Sequence, residues 1–181
     1  MELTTLHGGI HLNKFEKVSE KEWKKALEEF VLSPHLGGWP WQWEDIVLPK
    51  RATKGSAGYD IYCPARIFLK PGDTVKIPTG VKCRLDPYRF LMIVPRSSMG
   101  FKYRMQLDNS VGIIDGDYID NQSNEGHIYI KITNDGHEGK LLDLHRGDAF
   151  AQGIILNFDV TLDNEVSGVR TGGIGSTSSD I

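Results

Sequence analysis

From Glu44 onward, the chain is a succession of short segments in which apolar and polar residues alternate. The stretch YDIYCPARIFLKPGDTVKIPTGVKCRL, residues 59–85, shows this alternation and is interrupted by Pro-Gly and Thr-Gly pairs that are typical of turns. Repeated short strands separated by turns predict an all-β sandwich or barrel. The pattern continues at similar spacing in FLMIVP (90–95), EGHIYIKITN (125–134), KLLDLHRGD (140–148) and FAQGIILNFDV (150–160).

The composition limits the partners that this chain is expected to have. Its 181 residues suit one domain with an appendage, and its net charge of −3 argues against a protein that coats DNA or RNA. No apolar run has the length of a membrane span, and the N-terminus lacks a signal-peptide pattern. The cysteines Cys63 and Cys83 form no disulfide or metal-binding pattern and are expected to be reduced. We therefore expect a cytoplasmic protein with neither nucleic acid nor membrane as a partner.

Residues 1–43 differ from the rest, and we predict a helical extension there. In SEKEWKKALEEFVL, residues 19–32, Ser19 and Glu22 have the spacing of a capping box. Three tryptophans follow in SPHLGGWPWQW, residues 33–43, and are expected to anchor the helix on the domain; a partner-binding arm is the alternative. Three apolar residues share one face of the predicted helix, at the spacing i, i+4, i+7: Trp23, Leu27 and Phe30.

Five short stretches carry arginine, glycine, hydroxyl and aspartate residues in a combination that ordinary turns do not need. Arginine side chains, hydroxyls and glycine amides bind phosphate oxygens. Aspartates join a phosphate only through a divalent cation, and Mg²⁺ accepts one or two carboxylates together with phosphate oxygens. The combination therefore suggests a nucleoside polyphosphate bound with Mg²⁺. The five stretches are KGSAGYD (54–60), PRSSMG (95–100), DNSVGIIDGDYID (108–120), RGDAFAQ (146–152) and RTGGIGST (170–177).

In their order along the chain and in their residues, these stretches resemble the five motifs of the trimeric deoxyuridine triphosphate nucleotidohydrolases, the dUTPases. The resemblance runs from about Arg51 to Thr177 and is carried by AGYD, PRSS-G, N-VGIID-DY and GGIGST. It implies a β jelly roll, or β-clip barrel, over residues 44–160 and a flexible C-terminal arm, residues 161–181, that closes over the active site. It also implies a homotrimer with active sites at subunit interfaces. The implied reaction is Mg²⁺-dependent hydrolysis of dUTP to dUMP and pyrophosphate, which keeps uracil out of DNA and supplies dUMP for dTMP synthesis.

By the same resemblance, the first, second, fourth and fifth motifs bind the triphosphate. Asp60 is expected to hold Mg²⁺ through water, while Arg96, Ser97 and Ser98 bind phosphate oxygens. Gln152, in the fourth motif, is a further expected phosphate contact. The fifth motif is expected to close over the bound nucleotide with Arg170, Gly173, Ile174, Gly175, Ser176 and Thr177.

The third motif is expected to bind the nucleoside and to activate water. Its apolar run, residues 111–114, is predicted to anchor a hairpin in the core. The resemblance implies that backbone groups around Asn109 and Gly112 hydrogen-bond the uracil edge, which rejects cytosine by mismatch and thymine by the bulk of its methyl group. Asp115 is the expected general base for in-line attack on the α-phosphorus. Tyr118 is expected to press its ring on the deoxyribose and leave no room for a 2′-hydroxyl.

Two other aspartates of the third motif are expected to take no part in the chemistry. Asp117 points away from Tyr118 in an extended hairpin, so a local salt bridge or cap is the preferred interpretation. Asp120 is expected to be solvated.

Four departures from the common form of the family bear on affinity and on closure of the arm. Ile174 stands where many members have an aromatic ring that stacks over uracil, and Ala149 stands where many have arginine. One residue, instead of two, separates Arg170, the expected ligand of the γ-phosphate, from Gly172. The segment IDNQSNEGHI, residues 119–128, is longer than in compact members.

Three rival interpretations are open at this level. A deoxycytidine triphosphate deaminase has a related fold, but it needs a glutamate where this chain has Lys131. A nucleotide-sensing module would bind dUTP tightly without turnover and use the extension on a protein partner. A structural jelly-roll subunit would leave the arginine- and glycine-containing loops unexplained.

Overall fold

The structure is a computed structural model and describes residues 12–163. This part of the chain contains eleven β-strands, two α-helices and short 3₁₀ turns at Trp43–Asp45 and Gly116–Tyr118. The helices are α1 (Glu20–Phe30) and α2 (Ser97–Tyr103). The strands are β1 (Lys14–Lys17), β2 (Tyr59–Tyr62), β3 (Ile67–Leu69), β4 (Thr74–Pro78), β5 (Val81–Arg84), β6 (Arg89–Pro95), β7 (Met105–Leu107), β8 (Gly112–Ile114), β9 (Tyr129–Asn134), β10 (Leu142–Leu144) and β11 (Ala149–Asn157).

The strands form two larger sheets and two ribbons. The larger sheets have the orders β2-β11-β6-β8 and β4-β9-β7, and the ribbons are β1-β5 and β10-β3. Every pairing between these strands is antiparallel. Alternate residues of both larger sheets pack in one buried cluster, as expected for strands with one apolar face. The predicted all-β class is confirmed. The cluster includes Ile61, Leu91, Ile93, Ile77, Ile130 and Ile132.

The N-terminal extension packs directly on the sheets. Strand β1 pairs with β5, and α1 buries Trp23, Ala26 and Phe30. Phe30 belongs to the main core, whereas Trp23 packs in a second, smaller cluster and donates its indole N–H to the carbonyl of Trp41 at 3.1 Å. The predicted helical face is therefore correct, with α1 slightly shorter than expected. Trp39, by contrast, is 84% exposed.

The predicted capping box of α1 is only half formed. The backbone N–H of Glu22 donates to Ser19 Oγ at 3.1 Å, as expected. The reciprocal bond is absent in the described structure, because the N–H of Ser19 donates to Glu125 Oε2 at 2.9 Å instead. The carboxylate of Glu22 turns inward, where it is buried beside the ring of His127.

His127 is a fully buried polar side chain with both ring nitrogens engaged. The N–H of Gly80 donates to its Nε2 at 2.9 Å, so Nε2 is unprotonated. The proton therefore sits on Nδ1, which lies 3.4 Å from Glu22 Oε1. Burial lowers the pKa of His127 to about 3, so the ring is neutral at physiological pH.

Cys63 and Cys83 are buried free thiols, as the sequence predicts. Burial raises the pKa of each to about 12, which keeps both protonated and unreactive. Within residues 12–163, neither helix has the length and apolar character required to cross a membrane.

Candidate active site

Residues of three predicted motifs line one pocket of about 470 Å³, here called the arginine pocket. Strand pairing explains this proximity, because β11 lies between β2 and β6 and sets Gln152 opposite Asp60. Arg96 directly follows β6, and its N–H donates to the carbonyl of Phe150 at 3.0 Å. The structure thus brings together five predicted site residues in the arginine pocket: Asp60, Arg96, Ser97, Ser98 and Gln152.

The charged groups of the arginine pocket are paired but accessible. Arg96 Nε lies 3.5 Å from Asp60 Oδ1, and the two side chains are 43% and 15% exposed. A partly exposed pair of this kind contributes little to stability. The guanidinium has five N–H donors in all, so the contact with Asp60 leaves Arg96 able to bind phosphate oxygens.

Gly58 belongs to the arginine pocket although sequence reasoning did not single it out. A Cβ at this position would lie 2.3 Å from Gln152 Oε1. Glycine therefore leaves the space that the Gln152 side chain occupies, and Gln152 Nε2 lies 3.4 Å from the carbonyl oxygen of Pro95. The signal in the sequence was the glycine of AGYD itself.

The donor set of the arginine pocket suits a Mg²⁺ ion that is held mainly by substrate and water. Asp60 is the one carboxylate among the residues lining the pocket. No group of three or more potential metal ligands occurs among the described residues. Mg²⁺ commonly keeps several waters and uses one or two carboxylates with substrate phosphates, so a single aspartate fits this kind of site.

The third motif does not form the predicted hairpin ladder. Strand β7 pairs with β9, whereas β8 pairs with β6 in the other sheet. Both are edge strands, and the turn between them is held by the N–H of Ser110, which donates to the carbonyl of Leu107 at 2.9 Å. The two strands diverge around a pocket of about 420 Å³, here called the edge slot, which Asn109 and Gly112 line.

The apolar run 111–114 is half buried, so the prediction of a continuous core segment is wrong. Gly112 and Ile114 face inward, but Val111 and Ile113 are 39% and 52% exposed. An edge strand with one face on the core produces this alternation. A Cβ on Gly112 would lie 3.1 Å from Ile93 Cβ, so glycine permits close approach of β8 to β6.

A charged bridge that sequence reasoning missed supports the turn carrying Asn109. Asp108 accepts a hydrogen bond from Thr133 at 2.6 Å and pairs with Lys131 at 2.9 Å. Burial alone would raise the pKa of Asp108, but the bonds from Lys131 and Thr133 outweigh it and lower that pKa. Lys131 also lines the edge slot, so this bridge places a cation beside Asn109.

Asp115 lies at the outer end of β8, in a third pocket of about 540 Å³ that also includes Asp86 and Arg89. Its side chain is exposed, and its carbonyl accepts the N–H of Tyr118 at 3.1 Å across a 3₁₀ turn. Asp115 therefore lines neither the arginine pocket nor the edge slot.

Tyr118 is part of the core, with 4% of its surface exposed. Its hydroxyl donates to the carbonyl of His127 at 3.0 Å and accepts a bond from Asn124 Nδ2 at 2.8 Å. At this burial, little of the side chain is accessible to a ligand. Asp120 is exposed, as expected, and Lys82 Nζ and Arg84 also donate to its carboxylate at 2.6 Å and 2.8 Å.

The predicted residues of the fifth motif lie outside the described part of the chain. They are Arg170, Gly173, Ile174, Gly175, Ser176 and Thr177.

The fold and the arginine pocket define an antiparallel β protein equipped for a phosphorylated ligand, and comparison with known proteins gives the family. The family model dUTPase matches residues 44–178. The deoxyuridine 5′-triphosphate nucleotidohydrolase of Lactococcus lactis is 39% identical over 134 residues, 73% of this chain and 88% of that protein. The enzyme of Hahella chejuensis is 37% identical over 162 residues, 85% and 97% of the two chains. This chain belongs to the dUTPase family, and its reaction is the hydrolysis of dUTP to dUMP and pyrophosphate.

Solved structures agree with this assignment and with the predicted jelly-roll type. The dUTPase from Streptococcus mutans superposes with a TM-score of 0.58 at 38% identity, covering 65% of this chain and 90% of that one. The dUTPase from phage phi11 of Staphylococcus aureus has a TM-score of 0.58 at 18% identity, covering 86% and 97%, and it supports the fold alone. That phage enzyme is described with a structural Mg(II) ion.

Proposed function

We propose that this chain hydrolyses dUTP as a homotrimer in which each active site combines residues of different subunits. The separation of the pockets supports this assembly, since Arg96 and Asp115 line different pockets of one chain. A general base has to lie within hydrogen-bond reach of the water that attacks the α-phosphorus. A second copy that brings its Asp115 to the arginine pocket would satisfy that requirement.

The arginine pocket is the proposed site of the triphosphate. Arg96 supplies a planar set of donors for phosphate oxygens, and Ser97, Ser98 and Gln152 add neutral donors around it. Mg²⁺, when bound with the nucleotide, would neutralise part of the phosphate charge, with Asp60 holding it through water. The role of Arg170 at the γ-phosphate rests on the fifth sequence motif.

The edge slot is the proposed site of uracil. The unpaired edges of β7 and β8 offer backbone donors and acceptors that pair with no neighbouring strand of the described sheets. A base that left these groups unpaired in the slot would bind poorly, which would exclude cytosine. The small exposed part of Tyr118 is the proposed contact of the deoxyribose.

Asp115 is the proposed general base. It takes a proton from water while the water oxygen forms a bond to the α-phosphorus and the bond from that phosphorus to the bridging oxygen breaks. The electron pair of the broken bond leaves with pyrophosphate, and dUMP is the second product. The exposed position of Asp115 at the end of the half-buried strand β8 suits a base that serves a neighbouring subunit.

We also propose a cytoplasmic location for the enzyme. Two buried cysteines that are both free are typical of a reducing compartment. Localisation of a tagged full-length chain tests this point, and a secreted product would contradict it.

Pyrophosphate release from dUTP, UTP, dCTP and dTTP, with Mg²⁺ and with EDTA, tests the proposed mechanism. We expect Mg²⁺-dependent release from dUTP and little from the other three. Equal release in EDTA would contradict the role of Mg²⁺, and dUTP binding without release would favour a nucleotide-sensing function. Light scattering tests the assembly, and an active monomer would contradict the shared site.

A further inference from the structure

The loop of residues 119–128, which connects Tyr118 to β9, has a fixed conformation. Asn121 Oδ1 accepts from the N–H and the hydroxyl of Ser123 at 3.0 Å and 2.7 Å. The N–H of Asp120 donates to the carbonyl of Glu125 at 3.0 Å, which closes the loop across its base. These hydrogen bonds restrain the backbone of the loop.

The inner side of the 119–128 loop holds Tyr118 at both ends. At the ring end, Asn124 Nδ2 donates to the hydroxyl oxygen at 2.8 Å, and the hydroxyl donates to the carbonyl of His127. At the backbone end, Asn121 Nδ2 donates to the carbonyl of Tyr118 at 2.8 Å. The hydroxyl therefore donates its proton to the carbonyl of His127, and the ring cannot move away from its position without breaking the bonds at the hydroxyl.

The outer side of the same loop binds the start of helix α1. Glu125 Oε1 accepts from Ser19 Oγ at 2.6 Å, and Glu125 Oε2 accepts from the N–H of Ser19 at 2.9 Å. Lys25 Nζ donates to the carbonyl of Ser123 at 2.9 Å. Ser19 is the N-cap of α1, so the extension and Tyr118 are joined through a few residues of one loop.

We infer that the N-terminal extension takes part in sugar selection, with Asn124 and Glu125 acting as positioning residues for Tyr118. This inference rests on the proposed contact between Tyr118 and the deoxyribose. Rejection of a 2′-hydroxyl requires a ring that does not yield when a ribonucleotide enters. Asn124 holds the ring directly, and Glu125 holds Asn124 by fixing the loop to the helix cap.

The ratio of kcat/KM for UTP to kcat/KM for dUTP tests this inference. Asn124→Asp removes the donor to Tyr118 but keeps oxygens for the bonds that Asn121 Nδ2 and the N–H of Gly126 donate to Asn124 Oδ1. We expect the UTP/dUTP ratio to rise about tenfold, the usual effect of losing one buried hydrogen bond. Glu125→Asn tolerates the positive φ of 58° but is too short to bond Ser19, so a smaller rise is expected.

Glu20→Gln is the matched control for the extension. It removes a carboxylate from the first turn of α1 whose ion pair is with Lys24 at 2.6 Å, away from the loop. The UTP/dUTP ratio of this variant should equal that of the parent. Thermal midpoints of all variants separate a change in selectivity from a general loss of stability.

A change in activity that affects both nucleotides equally, with the ratio unchanged in Asn124→Asp and Glu125→Asn, would overturn the inference. If Asn124→Asp does not fold, Glu125→Asn carries the test, because its bonds to Ser19 lie on the outer side of the loop. Tyr118→Ala separates the two proposals. A raised ratio in Tyr118→Ala alone leaves the sugar contact intact and overturns only the positioning role, whereas an unchanged ratio in Tyr118→Ala overturns both.

Discussion

The arginine pocket and the third motif differ in how the fold presents their residues. Asp60 and Gln152 lie on two neighbouring strands and Arg96 directly follows the next one, so one chain assembles them. Asn109 and Asp115 come from a segment that runs between the edges of two sheets, and they line separate pockets. One chain therefore preorganises its proposed phosphate-binding groups, while its proposed base-binding and water-activating residues lie in two other pockets.

Among the variants that test this comparison, replacement of the proposed general base should have the largest effect on activity. Asp115→Asn keeps the shape of the side chain but cannot accept a proton, so kcat should fall by about 10³-fold while dUTP affinity changes little. Pyrophosphate release and calorimetric binding measure the two quantities. Asp117→Asn, two residues along, is the control and should retain activity; a fully active Asp115→Asn would refute the assignment.

Mixing two inactive variants tests whether the Arg96 and the Asp115 of one active site belong to different subunits. Asp115→Asn and Arg96→Gln should each be inactive alone, because each lacks one half of the site. If the halves come from different subunits, random mixing should restore roughly a quarter of the sites. Activity is measured after the two proteins are unfolded and refolded together. No recovery, despite formation of mixed trimers, would place both residues in the same subunit's site.

A methyl group in the edge slot should have a moderate effect. Gly112→Ala places a Cβ 3.1 Å from Ile93 Cβ, which displaces β8 by a few tenths of an ångström. We expect KM for dUTP to rise by about threefold to tenfold with kcat nearly unchanged, since uniform binding is lost. Gly38→Ala, where a Cβ meets nothing within 4 Å, is the control. A fall in kcat alone would argue against base binding in the slot.

Acidification should have the smallest of these effects. It should lower the free energy of unfolding through His127, whose carbonyl accepts the hydrogen bond of the Tyr118 hydroxyl. The folded-state pKa of His127 is about 3, below its ordinary value of 6.5, so the unfolded chain binds the proton more readily. Its contribution to stability is therefore fully present above pH 6.5 and is lost as pH falls toward 3. We expect this histidine to account for about 1 kcal/mol of lost unfolding free energy between about pH 7.5 and about pH 5.5.

Denaturant unfolding of the parent and of His127→Gln over this pH range measures that contribution. Glutamine does not titrate, so the variant should lose less stability than the parent on acidification. Equal losses in the two proteins would mean that His127 does not carry the pH dependence.

Local patterns in the sequence were sufficient to predict the strands and helix α1, because these elements form between residues that are close together in the chain. The alternation of apolar residues indicated the strands, and the face of Trp23, Leu27 and Phe30 indicated α1. The same reasoning failed where a distant partner intervened. The carboxylate of Glu125 accepts the N–H of Ser19 that Glu22 was expected to bind. Lys82 and Arg84 donate to Asp120, and the sequence did not predict these bonds. Competing partners that lie far away in the chain have no local signature.

The sequence by itself determined the chemical groups of the site and the family, because arginine, serine, glutamine and aspartate have the same donors and acceptors in any fold. Only the tertiary structure decided which groups meet. The pairing of β11 with β2 and β6 gathers Gln152, Asp60 and Arg96, while the pairing of β7 and β8 with different sheets opens the edge slot. Strand pairing is set by the burial of side chains far apart in the chain, so it becomes apparent only when the whole core is assembled.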